Sequence, residues 1–354
     1  MPSIFLSGAT GYIGGSILNS LLSLPSPPES ITCLLRDPTK SSRLSSLSTP
    51  KTKVIPFIGS YSPQDLPALT EEISKYPVVI ETASADDVPG IQAIISGMRI
   101  YHQKHGQKVV FIHTSGTGAL QTDDRGEIEG KDIYTDALNP EKGYKTVADL
   151  PITASHRNVD VIVEAADKEG VCDSYIVLPG TIWGKPERKV YEIGVANDTS
   201  IQIPKLVEMA VRRGQAGYVG KGENVWVHIH IQDCADLYTL LYTLIISGHP
   251  VPHGAEGYYF CVAGEYRIRD AAIAIGESLS AHGLAKEGAT TFTDEELDVL
   301  FPGKTFKWYL STNSRAIAPK SLSLGWKTDR TSLKGFLEDC KSEAVRIGKK
   351  TKGV

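Results

Sequence analysis

Along the first half of the chain, short and wholly apolar runs alternate with stretches whose apolar positions recur at helical spacing. The runs Ile4 to Leu6, Ile31 to Leu35, Val54 to Phe57, Val78 to Ile80, Val109 to Ile112 and Ser174 to Leu178 read as strands buried on both faces. Residues 14–23, 64–75, 91–105 and 154–169 read as helices between them. This succession predicts an α/β architecture, a Rossmann-type doubly wound parallel sheet. Leu24-Pro25-Ser26-Pro27-Pro28 stops the first helix, and the serine-rich stretch 40–50 reads as a flexible surface loop. After Gly184 the alternation breaks into polar loops and one amphipathic helix, Ile203 to Arg213. It resumes with a strand at Trp226 to Ile231, a helix at Asp233 to Ile246 and a strand at Tyr258 to Val262. From Arg267 onward the pattern is helical, with aromatic interruptions at Phe301, Phe306, Trp308 and Tyr309.

The first strand runs into Gly8-Ala9-Thr10-Gly11-Tyr12-Ile13-Gly14-Gly15, after which Ile13, Ile17 and Leu21 recur at helical spacing. The first glycine lets the strand turn, the second keeps side chains off a pyrophosphate, and the third lets the helix pack closely on the strand. Peptide dipoles at the new helix start favour negative charge. Strand, glycine turn and amphipathic helix together predict a dinucleotide site. The chain then divides into a dinucleotide-binding domain, 1–184 with 225–262, and a small, mostly helical substrate lobe, 185–224 with 263–354.

Composition narrows the partners. Across 354 residues the formal charge is −4, and no basic run suggests nucleic acid or a membrane surface as partner. No apolar run approaches a membrane span. Five scattered cysteines, Cys33, Cys172, Cys234, Cys261 and Cys340, form no CxxC pair and suit a reducing compartment, so a soluble, cytoplasmic protein is expected. His228 and His230 alternate on one strand without further ligands, so no metal site is expected.

The end of the second strand lies beside the adenosine ribose in this fold. Here it reads Leu35-Arg36-Asp37, and the planar fork of Arg36 suits a 2′-phosphate, with Lys40 adding charge. Asp37 argues for the unphosphorylated cofactor; NADP is the expectation.

With these residues in view, the chain resembles the extended short-chain dehydrogenase/reductase superfamily over nearly its full length. Thr10-Gly11-Tyr12-Ile13-Gly14 looks like that family's cofactor motif, and Ile112-His113-Thr114-Ser115-Gly116 resembles the strand end that holds its catalytic serine or threonine. Leu178-Pro179-Gly180-Thr181-Ile182-Trp183-Gly184 resembles the segment lying along the nicotinamide, and His230-Ile231-Gln232-Asp233 matches a later strand-to-helix signature. The resemblance implies cofactor contacts from Gly8, Thr10, Gly11, Tyr12, Ile13, Gly14, Arg36, Thr82, Ala83, Pro179 and Thr181. It also implies a homodimer through the helices near 91–105 and 154–169.

One departure governs mechanism. The family's Tyr-x-x-x-Lys pair is absent, and alignment through Glu164 puts His156 in the tyrosine position and Asp160 in the lysine position, as in a group of fungal epimerase-like proteins. Four residues apart on a helix, the two are expected to touch, with Asp160 favouring protonated His156 as general acid and Ser115 as hydrogen-bond donor. Asp160 accepting from the ribose, or an ordinary surface pair, remain open. Tyr134 and Tyr144 lie in the preceding loop and are second candidates for the acid. His113 is read as a core histidine on the opposite side of its strand from Ser115. Met98, Trp183 and Trp226 read as packing, with Trp183 a possible wall of the substrate pocket; Arg212 and Arg213 read as solvated. These readings converge on an NADP(H)-dependent oxidoreductase that reduces a carbonyl or imine of a small, partly apolar molecule. The alternatives are a non-catalytic NADP-binding sensor, or an epimerase, isomerase or cyclase that retains the nucleotide.

Overall fold

The computed structural model describes residues 1–186, 189–303 and 309–353. Its principal strands are β1 (Ile4–Leu6), β2 (Ser30–Leu35), β3 (Lys53–Ile58), β4 (Val78–Glu81), β5 (Val109–Thr114), β6 (Cys172–Pro179), β7 (Thr181–Trp183), β8 (Val225–His230), β9 (Tyr258–Cys261) and β10 (Gly264–Arg267). The principal helices are α1 (Tyr12–Leu22), α2 (Leu66–Ile73), α3 (Val88–His105), α4 (Arg157–Lys168), α5 (Gln202–Arg213), α6 (Ile231–Ile246), α7 (Ile268–Ala281) and α8 (Leu333–Lys352).

Seven strands form one parallel sheet in the order β9-β6-β5-β4-β1-β2-β3. The apolar runs explain it: every residue of β1 and of β4 is buried, so each strand is covered on both faces. Leu6 lies between Cys33 of β2 and Ile80 of β4, and there the winding reverses. A ligand crevice opens at that switch point, outside the carboxyl ends of the strands. A second sheet, β10-β8-β7, carries the chain from β6 to the cavity wall. A smaller apolar cluster gathers Trp183, Trp226, Tyr266, Leu279 and Phe336 with the buried faces of α5, α7 and α8.

Two expectations are corrected. The stretch 40–50 is ordered, with a short helix at Ser41–Ser45 whose Leu44 is fully buried and anchors it to the core. The tail after Arg267 is also less helical than its pattern suggested: Lys286–Thr291 is a strand pairing in parallel with Gln215–Tyr218. Phe301 and Tyr309 are buried, and Phe306 and Trp308 lie outside the described residues.

The glycine turn is packed to contact. Gly8 adopts φ +71°, and a Cβ there would stand 2.4 Å from Thr82 Oγ1. A Cβ on Gly14 would stand 2.2 Å from the Gly8 carbonyl oxygen, so α1 sits on β1 at a separation only glycine allows. Gly14→Ala is expected to cost roughly 1–3 kcal/mol through overpacking. Urea unfolding checks this, and an unchanged midpoint would show that the helix moves away freely.

Candidate active site

The crevice opens into a cavity of about 530 Å³. Into it come Gly11, Tyr12 and Ile13 of the glycine turn, Thr82 after β4, Ser115 to Gly118 after β5, His156 before α4, and Pro179 at the end of β6. The second half of the chain adds Thr199 to Gln202, Trp226 and Tyr309. Among the described residues no lysine, arginine, aspartate or glutamate lines it.

At the glycine turn, Gly11 begins α1 with no side-chain cap, leaving the first-turn amides turned to the crevice. A Cβ on Gly11 would crowd the Gly8 carbonyl at 3.1 Å, so the backbone is bare where a pyrophosphate would approach. Thr82 Oγ1 donates to the Ser7 carbonyl at 2.8 Å, and the Thr10 carbonyl accepts from Asn197 N at 2.9 Å. The Ala83 amide is spent on Glu81 Oε1, 2.8 Å away. Arg36 is exposed at the end of β2. Its neighbour Asp37 folds back onto Thr39, 2.6 Å to the hydroxyl and 2.9 Å to the amide, and these bonds hold its carboxyl below the usual range. Lys40 donates to the Val195 carbonyl at 3.0 Å, so its ammonium already has a partner. Thr181 is fully buried with its hydroxyl 2.9 Å from Tyr266 Oη, turned away from the cavity that Pro179 lines.

The expected contact between His156 and Asp160 is not formed. His156 precedes α4 rather than joining it, in the left-handed region at φ +67°, so helical spacing does not apply to it. Its Nδ1 pairs instead with Asp86 Oδ1 at 2.8 Å, and that bond holds the Asp86 carboxyl low. Its Nε2 faces the turn after β5, where a Cβ on Gly118 would lie 3.1 Å from it.

Asp160, in the first turn of α4, is wholly buried and accepts from Ser115 Oγ at 3.0 Å. Burial pushes its carboxyl up, against the opposing influence of His113 and the Ser115 hydrogen bond. His113 is in the core as expected, but on the same side as Ser115: its Nε2 is 3.9 Å from Asp160 Oδ1 and its Nδ1 2.9 Å from Glu81 Oε2. Neither contact is a hydrogen bond. Glu81 Oε1 is well satisfied, accepting from Tyr61 Oη, Ala83 N and Ser84 N.

Tyr134 and Tyr144 do not line the cavity; Tyr134 is buried in a short strand beside Ala316. The two tryptophans exchange roles. Trp183 is packed against His228, His230 and Phe336 with its Nε1 donating to His228 Nδ1 at 3.0 Å, while Trp226 walls the cavity. Burial holds the His228 imidazole down at about 4. Arg213 is clamped on Glu296 at 2.8 Å and largely buried, whereas Arg212 is solvated as expected, in a surface pair with Glu208 at 2.5 Å. Sequence reasoning missed Asp86, Glu81 and Tyr309. Only the alternation along β5, which puts residues 113 and 115 on one side, offered a signal.

No protein-family model matches the chain. An oxidase, UcsJ, from an Acremonium species is 29% identical over 362 aligned positions, covering 98% of each chain. Among solved structures, UDP-glucuronic acid 4-epimerase from Bacillus cereus, in complex with UDP-glucuronic acid and NAD, is similar at a TM-score of 0.59 and 15% identity, covering 98% of this chain and 99% of that one. Vestitone reductase from alfalfa is similar at 0.57 and 18%, covering 100% and 99%. The chain has the fold of these enzymes. The likeness spans nearly the whole of this chain.

The glycine turn is also tied to α8. Tyr12 Oη donates to the Gly184 carbonyl, and Gly184 N donates to Asp339 Oδ2 at 3.3 Å. Burial pushes the Asp339 carboxyl up to about 6. The folded chain therefore binds the proton more tightly than the unfolded chain, whose aspartate titrates near 3.9, and stability falls as pH rises between these values. Asp339→Asn is expected to remove that fall, raising stability at pH 7.5 by up to about 3 kcal/mol and changing little at pH 3.5. Urea titrations at the two pH values check it; an equal effect at both would assign the gain to packing.

Proposed function

We propose that the chain is an NADP(H)-dependent oxidoreductase of the extended short-chain dehydrogenase/reductase kind, acting on a carbonyl or imine of a small, partly apolar molecule. The observation that carries this is the shared cavity: the uncapped glycine turn, Ser115 and His156 all face it. Gly11, Tyr12, Ile13 and the bare backbone around them would hold the pyrophosphate, Thr82 and Pro179 would flank the cofactor, and exposed Arg36 would take the 2′-phosphate. When bound, the dinucleotide supplies or receives hydride. His156, oriented by Asp86 through Nδ1, carries the proton at Nε2, and Ser115 positions the reacting group. Asp160 holds Ser115. Pairing of two copies through α3 and α4, and a cytoplasmic location, belong to the same proposal.

The lining, which holds no lysine or arginine among the described residues, sets this reading apart from the nucleotide-sugar epimerases of the same fold. A diphosphate ligand beyond the cofactor would bring two negative charges to a wall without lysine or arginine among the described residues. The substrate is accordingly small and carries no phosphate.

Calorimetry with NADPH and NADH tests the cofactor. NADPH is expected to bind more tightly, and Arg36→Ala to shrink the ratio of the two affinities roughly tenfold or more, since it removes a charge-assisted hydrogen bond. An unchanged ratio would end the case for NADP. His156→Ala is expected to slow turnover by roughly 10²-fold to 10⁴-fold while sparing NADPH affinity. A loss of less than about threefold would take His156 out of the proton-carrying role.

A further inference from the structure

Ser115 carries one hydroxyl proton, and in this structure Asp160 takes it. What Ser115 turns toward the cavity is therefore lone pairs, and a bare carbonyl oxygen placed there would meet acceptor with acceptor. Behind Ser115 the charge is lopsided. Glu81 and Asp160, both buried, stand against one buried imidazole, His113, while the exposed Asp86 is paired with His156. Arg157, next along the chain, is balanced by Glu164 at 2.6 Å and a hydrogen bond to Tyr258. Asp160 Oδ1, Glu81 Oε2 and both His113 nitrogens are buried without a hydrogen-bond partner among the described residues. A half-satisfied network in a dry wall is costly, and the most economical compensation is a positive, proton-donating group in the cavity.

We propose that the group recognised at Ser115 is a protonated nitrogen, an ammonium or iminium, rather than a neutral carbonyl. This rests on the reading of the cavity as a nicotinamide-dependent active site and narrows its substrate to amines and their imines. Ser115 accepts the N–H, Asp160 and Glu81 supply the countercharge, and His113 is a positioning residue that sits between the two carboxylates. A neutral alcohol would satisfy the hydrogen bond but not the charge.

The test begins with dinucleotide binding alone. Protein saturated with NADP is then titrated by calorimetry with cyclohexylamine, cyclohexanol and cyclohexanone, one carbon skeleton in three states, and with the corresponding benzyl series. The ammonium is expected to bind roughly tenfold or more tightly than either neutral partner, as a charge-assisted hydrogen bond requires. Ser115→Ala and Asp160→Asn should each reduce that preference to within about threefold; should Asp160→Asn fail to fold, Ser115→Ala decides, because it leaves the buried charges in place. Equal binding of the ketone, no saturable binding of the amine, or a preference that survives Ser115→Ala would overturn the inference while leaving the nicotinamide reading intact. Failure of the first step, with no dinucleotide bound, would bring down the reading beneath it.

Discussion

A carboxylate withdrawn entirely from water, at Asp160, is the constraint around which the cavity wall is arranged. Burying such a charge costs several kcal/mol unless partners compensate. Three partial compensations meet here: the Ser115 proton, the nearby His113 ring, and the amino end of α4, whose dipole favours negative charge in the first turn. The arrangement depends on one backbone conformation. Were His156 helical, it would stand one turn before Asp160 on the same face and compete with Ser115 for the carboxylate. In the left-handed region it swings across to Asp86 instead. A non-glycine residue there stores about 1–3 kcal/mol of strain, which persists only where surrounding contacts impose it.

The glycine turn depends in a similar way on chain far away in sequence. Tyr191 Oη donates to the Tyr12 carbonyl at 2.8 Å and lies 2.7 Å from Ser16 Oγ; Arg43 reaches the Ile193 carbonyl at 3.2 Å. A Cβ on Gly15 would stand 2.7 Å from Ala196 Cβ, so the fourth glycine of the turn serves this overlying segment. One glycine-rich sequence thus answers two demands. Gly8 and Gly14 permit helix-on-strand contact beneath, and Gly15 permits chain-on-helix contact above.

The parallel sheet and the glycine turn were legible because each rests on a local period or a required side-chain absence. Strands buried on both faces announce themselves as unbroken apolar runs, and their observed bounds differ from the expected ones by a residue or two. The strand Lys286–Thr291 was not legible: its sequence KEGATT has no buried residue, so no apolar signal existed. Nor could spacing reveal the exchange of Trp183 for Trp226 at the cavity, since both are aromatic residues on short strands and tertiary packing decides between them. The misplacement of His113 is different in kind. Residues two apart in a strand share a side, and applying that period to 113 and 115 would have placed them together.

Two carboxylates serve this cavity, and their surroundings drive them apart. Asp86 is largely in water and held low by its bond to His156; Asp160 is dry and pushed up by burial. Groups so separated are suited to different tasks, one remaining ionised to orient an imidazole and the other free to change its protonation with its environment. Asp160 has no contact with solvent, so whatever charge it carries is screened by neither salt nor water. No carboxylate, lysine or arginine lines the cavity among the described residues, and the buried Asp160 carboxyl lies directly behind Ser115.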